Sequence, residues 1–303
     1  MGEEAILPLA MFRNKTVGVS SIASVLIGVA MFGGLAALPL YLQIVKGATP
    51  TEAGLLLLPM TLGIMIGSIL SGQIISRTGR YRVFPIVGSA LLTISLFIFH
   101  YVAYDTPLWQ TMIVMTMFGV GLGFNFQPLT LAVQNAVPPQ QIGVATSTAT
   151  FTRQIGGTLG TAVFLSILFS TASEKITTAL AAAVPTQEFQ AALADPANAA
   201  VAEQFAAAQS GGGAATSVLS DSSFLTGLDE RLAKPFLIGF SEAMDLVFLT
   251  GSAVMVLGFL VMLMLPNVEL RKSASYGQRE NDGAPSDADA ANDVDDAAVI
   301  AHP

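Results

Sequence analysis

Four stretches of this chain, residues 17–43, 53–75, 83–104 and 108–134, contain no Asp, Glu, Lys or Arg. Each reaches the roughly 20 residues that an apolar helix needs to cross a ~30 Å hydrocarbon layer. Two further stretches, 143–172 and 236–265, are interrupted only by Arg153 and by Glu242 and Asp245. Charged residues make up 11% of the chain, against about 25% in soluble proteins. Strands of a membrane barrel alternate in hydropathy over ~10-residue segments, and no such alternation occurs here. The fold expected is therefore all-α and membrane-embedded, with six transmembrane helices between residues 17 and 265. The bilayer is its first partner.

The connections at 44–52, 76–82, 105–107 and 135–142 are short, so neighbouring helices pack antiparallel. Residues 1–16 read as a cytoplasmic lead-in, 173–235 as an external loop with helical pieces at 187–193 and 199–209, and 266–303 as an acidic, disordered cytoplasmic tail. Lys and Arg near span ends stay cytoplasmic. With the N-terminus inside, that side holds Arg13, Lys15, Arg77, Arg80, Arg82, Arg271, Lys272 and Arg279, against Lys46, Lys175, Arg231 and Lys234 outside. Both termini are therefore expected in the cytoplasm of a multi-pass cell-membrane protein.

The net charge of -8 comes from two places. The tail carries eight acids and three bases, and the 173–235 loop seven acids and three bases. Nothing basic enough to hold nucleic acid remains. The chain has no Cys and only two His, His100 and His302, too few ligands of these types for a structural metal site. No nucleophile sits beside a buried base, so an enzyme is not expected and no cofactor is required.

Glycine spacing speaks about packing. Gly63 and Gly67, Gly119 and Gly123, and Gly156 and Gly160 each place two small residues on one helix face, where a second backbone approaches closely. Polar residues mark candidate sites. Arg153 lies about ten residues into its span, where a cation costs about 2.5–3.5 kcal/mol; it must face protein or water. Thr146, Thr150, Arg153, Gly157 and Gly160 share its face. Arg153 is read either as a gating or coupling residue or as a structural ion pair. Gln127, Thr130 and Gln134 form a second polar face, with Asn125 and Pro128 beside it, and suggest a cavity-lining helix or inter-helix hydrogen bonding. Glu242 and Asp245, three residues apart, are either interfacial or a protonatable pair.

The polar connection GQIISRTGRYR places Gly72, Arg77, Gly79, Arg80 and Arg82 in the pattern of the loop after the second helix of a major facilitator half. Ser76 stands where that pattern carries an acid. Together with LPLAMFRNKT, PLYLQIVKGATPTEAGLLLLPM and FTRQIGGTLGTAV, it resembles the fourteen-helix drug:proton antiporter branch (EmrB/QacA-like) over residues 7–265. The resemblance implies the C-terminal six-helix half of a major facilitator fold, two three-helix inverted repeats, and a separate N-terminal half as partner. It further implies efflux of a small-molecule drug or metabolite by alternating access, with the proton gradient as coupling ion and Arg153 paired across to the other half. In this reading the loop gates the cytoplasmic face, Gly72 permits close helix approach and Gly79 makes the turn. The alternatives are a nonfunctional truncation, a half-transporter that needs a partner chain, and a membrane scaffold.

Overall fold

A computed structural model of the protein describes residues 13–198 and 228–266. The lead-in through residue 12, the helical piece at 199–209 and the tail from 267 lie outside the described residues. Among those described, all regular structure is helical: α1 (Lys15–Leu40), α2 (Pro50–Leu56), α3 (Leu58–Thr78), α4 (Val83–Phe99), α5 (Leu108–Asn135), α6 (Ile142–Ala183), α7 (Gln187–Leu193) and α8 (Glu230–Leu263). Five segments are long and apolar enough to cross a membrane, with α2 and α3 counted as one. α4 is apolar but shorter, at 17 residues.

Two boundaries differ from the sequence expectation. The third apolar stretch extends to residue 104, yet α4 ends at Phe99. Beyond it the chain is drawn into turns. The Lys46 ammonium donates to the carbonyls of Tyr104 and Thr106, both at 2.7 Å, and the Tyr41 hydroxyl donates to that of Ala103 at 3.2 Å. Burial pushes the Lys46 ammonium below its usual range, and Asp105 opposes that shift. At the other boundary, α6 continues to Ala183 instead of stopping near 172. Its 42 residues reach about 60 Å at ~1.5 Å per residue. Residues 173–183 stay helical because Ile176 and Leu180 are buried in the same core as Phe236 and Phe240 of α8.

Helix pairing follows a regular scheme. The most extensive contacts are α1 with α6 and α3 with α5, followed by α4 with α5, α8 with α6, α8 with α4, and α1 with α8. Exchanging α1, α3 and α4 with α5, α6 and α8 maps the first two pairings onto each other, and likewise α1–α8 onto α5–α4, while α8–α6 has no counterpart of similar extent between α4 and α3.

Both major crossings are made by glycine. On α3–α5, a Cβ at Gly63 would sit 2.6 Å from the Thr116 carbonyl oxygen and one at Gly67 2.7 Å from that of Val120; Cβ atoms at Gly119 and Gly123 would strike the carbonyls of Met60 and Ile64. On α1–α6, Gly28 abuts the Arg153 carbonyl, while Gly156 and Gly160 abut those of Val25 and Val29. In a bilayer, where lipid is as apolar as leucine, such backbone proximity is a main source of helix association.

Aromatic residues fill the centre. Phe164 wedges against Gly33 and Gly251, and Phe99 stacks on Phe248 with ring centroids 5.0 Å apart. Large apolar side chains remain exposed along α3, α6 and α8, including Leu62, Ile66, Ile155, Leu159, Leu257 and Leu260. This is the surface a lipid-immersed bundle presents.

Candidate functional site

The α1–α6 crossing positions Arg153, the cation of the 143–172 apolar stretch. With Gly28 against its carbonyl, Arg153 sits where α6 meets α1 and its side chain reaches toward α5. Its guanidinium carbon lies 4.8 Å from the centroid of the Phe126 ring, a cation–π distance. Among the described residues the ion pairs are Lys175–Glu242 at 3.2 Å and Arg231–Asp229 at 2.7 Å, and neither involves Arg153. Around it opens a cleft of about 340 Å³ between α1 (Met31, Phe32), α5 (Phe126, Gln127, Thr130) and α6 (Thr150, Arg153, Gln154).

The cleft gathers Gln127, Thr130, Thr150 and Arg153 from the two polar faces seen in the sequence. It also brings in Met31 and Phe32, which sequence reasoning missed; they lie in an unbroken apolar run, and no local signal separates them from lipid-facing neighbours. Gly157 contributes indirectly, because it leaves room for the Phe32 ring. Gly156 and Gly160 hold the crossing behind the cleft.

Two of the candidate cavity-lining residues of α5 stand elsewhere. Asn125 is fully buried on the α4 side, next to Gly88. Its amide donates to the Gly121 carbonyl at 2.7 Å, and its oxygen has no partner. Gln134 donates to Thr146 Oγ1 at 2.9 Å, joining the end of α5 to the start of α6.

The polar connection is built around Gly79, whose φ of 69° caps α3 in the left-handed region, a conformation glycine adopts without steric cost. Ser76 and Thr78 turn back to the Gln73 and Ile74 carbonyls at 2.8 and 2.7 Å. Arg77 and Arg80 are exposed. Gly72 does not mark a close helix approach: a Cβ there would touch only Gln127, at 4.0 Å. The crossing has already passed at Gly63 and Gly67, and the helices have separated by the time they reach Gly72.

The adjacent pair acts at long range. Tyr81 donates to the Pro266 carbonyl at 3.0 Å and Arg82 Nη2 to that of Leu263 at 2.8 Å. A cation on unpaired carbonyls at a helix C-terminus is favourable. Arg82→Ala is expected to lower the stability of the purified chain by about 1 kcal/mol, read as a lower midpoint in thermal unfolding. Arg80→Ala should leave the midpoint unchanged.

Near the other end of α8, Glu242 is exposed and salt-bridged to Lys175. Asp245 is half-buried; its backbone carbonyl lies 3.2 Å from His100 Nδ1, and its carboxylate oxygen Oδ1 is buried without a partner. At the N-terminus of α8, hydrogen bonds from Arg231 hold the Asp229 carboxyl well below the usual carboxylate range.

Long apolar helices, crossing at glycine and leaving a polar cleft among them, are the architecture of a multi-pass membrane protein. Residues 3–161 match the family model described as Major Facilitator Superfamily, and the chain belongs to that superfamily. It is 35% identical over 271 residues to a tetracycline resistance determinant of Streptomyces rimosus, covering 88% of this chain and 77% of that protein. It is 31% identical over 267 residues to an uncharacterized MFS-type transporter of Mycobacterium tuberculosis, covering 88% of this chain but 34% of that one. Over 149 residues, 49% of the chain, it is 28% identical to the multidrug transporter protein MdtP of Bacillus subtilis and covers 27% of its length.

Proposed function

We propose that these six helices form the C-terminal half of an exporter of drugs or small metabolites in the fourteen-helix antiporter branch, working by alternating access and driven by the proton gradient. The cleft between α1, α5 and α6 carries this reading. At about 340 Å³ it lies at the lower end of the ~300–1,000 Å³ usual for ligand pockets, and it holds a cation with no carboxylate partner among the described residues. The exchange symmetry of the helix pairing supports a half built from two inverted three-helix repeats. The names of similar proteins, a tetracycline resistance determinant and a multidrug transporter, support efflux.

In this scheme both termini are cytoplasmic and the protein resides in the cell membrane. The loop from Gly72 to Arg82 gates the inner face. Arg153 couples the cleft to a second, N-terminal half, and Asp245 and Glu242 are candidate proton carriers.

The test is accumulation of tetracycline and of ethidium in an efflux-deficient host that expresses the chain alone or together with an N-terminal half. Accumulation should fall only when both halves are present, and a protonophore should restore it. Arg153→Glu in the two-half form is expected to return accumulation to the level of the untransformed host. Unaltered accumulation with both halves present would remove the export reading, and unaltered export by the Arg153→Glu form would remove its coupling role.

A further inference from the structure

The composition of the cleft points to the chemical class of its ligand, an inference that rests on the cleft being the substrate site. Among the described residues its only charged side chain is Arg153, and its other polar groups, Gln127, Thr130, Thr150 and Gln154, are neutral. The Phe126 ring lies against the guanidinium, with its centroid 4.8 Å from the guanidinium carbon. A guanidinium carries five N–H donors in its plane, and among the described residues neither ion pair uses those of Arg153. A planar edge of this kind matches a carboxylate or ionised enol with two parallel hydrogen bonds. The amides and hydroxyls around it both donate and accept, which suits additional neutral oxygens. Phe126 offers an apolar ring surface beside them. A cationic drug would instead meet the like charge of Arg153, which has no carboxylate partner among the described residues.

We propose that the cleft selects conjugated, ring-containing anions, and that Arg153 is the residue that sets this preference. Molecules of the same shape that are neutral bind less tightly, and cations least. Phe126 positions the guanidinium and supplies the stacking surface.

Three probes sharing one ring system separate charge from shape: 9-anthracenecarboxylate, 9-anthracenemethanol and 9-(aminomethyl)anthracene. Binding is measured by fluorescence anisotropy with the full chain, alone and together with an N-terminal half, in nanodiscs of uncharged lipid, with empty nanodiscs subtracted. The carboxylate is expected to bind about tenfold more tightly than the ammonium probe, the size of one charge-assisted contact. Arg153→Gln should bring that ratio to about one, while Arg153→Lys should keep the carboxylate preferred. Equal binding of all three probes to the wild type, or a preference that survives Arg153→Gln, overturns the anion selectivity and leaves the cleft as a binding site. Absence of saturable binding by any probe overturns the cleft as the substrate site as well. If circular dichroism shows that Arg153→Gln does not fold, the wild-type ratio and the Arg153→Lys variant decide.

Discussion

Gly119→Leu is expected to abolish recovery of a monodisperse protein. The residue sits on α5 directly against α3, where even a methyl group would strike the carbonyl of Met60 and crowd the amide of Ile64. The neighbour is backbone within a helix, so no rotamer change relieves the clash; α3 and α5 must separate. Separation would also open the contacts at Gly63, Gly67 and Gly123, which depend on the same interaxial distance. Overpacking a well-filled interior costs about 1–3 kcal/mol, and a leucine between two backbones lies at or above the upper end. Against a total stability of about 5–15 kcal/mol, that is a large fraction. Size-exclusion chromatography of detergent extracts reads the result: a collapsed or aggregated profile for Gly119→Leu. Gly143→Ala is the control, since nothing lies within 4 Å of a Cβ there. It should leave the profile intact and add up to about 1 kcal/mol of helix propensity. A monodisperse Gly119→Leu protein of wild-type stability would show that the crossing does not hold the bundle.

The sequence made the helices and their glycine faces readable, because apolar length and four-residue spacing are local properties. Which face meets which partner is not local. The spacing of Gly63, Gly67, Gly119 and Gly123 marks two small faces without saying that they face each other. Gly28 ends a run of small residues at four-residue spacing, Ser20, Ser24 and Gly28, which glycine pairs alone do not reveal, and it makes one of the tightest contacts in the molecule. The candidate site was legible in part for the same reason. Arg153, Gln127 and Thr130 stand out as polar residues inside spans. Phe32, Met31 and Phe126 do not, since an aromatic or methionine in a membrane helix carries no mark of what it faces.

Asn125 illustrates the converse. Its polarity and proximity to Gln127 suggest the cleft, but helical rotation turns it about 200° from Gln127 at ~100° per residue, onto α4. The contacts of Tyr81 and Arg82 with the end of α8 join residues more than 180 positions apart. Only the closed bundle reveals them. The ends of α4 and α6 were misplaced because hydropathy ignores the lysine that captures the 104 and 106 carbonyls and the apolar groove that keeps α6 helical past the expected membrane boundary.

Gly28→Ala links packing to function. Its Cβ would collide with the Arg153 carbonyl and come within 3.0 Å of the Gly157 amide nitrogen, both of them α6 backbone. α6 must therefore slide or rotate away from α1, and it carries Arg153, Thr150 and Gln154 with it. Gly157 also provides the space beside Phe32, so the α1 wall of the cleft shifts as well. A loss of about 1–3 kcal/mol in stability is expected from the overpacking. Gly63→Ala supplies the comparison. Its added methyl also meets backbone, at 2.6 Å from the Thr116 carbonyl oxygen, but at a point on α5 well before the cleft residue Phe126, whereas Gly28 meets the carbonyl of Arg153 itself. Both variants should lower the thermal midpoint to a similar extent. Only Gly28→Ala should also weaken 9-anthracenecarboxylate binding, by about tenfold if the displaced guanidinium loses one charge-assisted hydrogen bond. Equal affinity in the two variants would separate the glycine crossing from the cleft and restrict its role to holding the helices together.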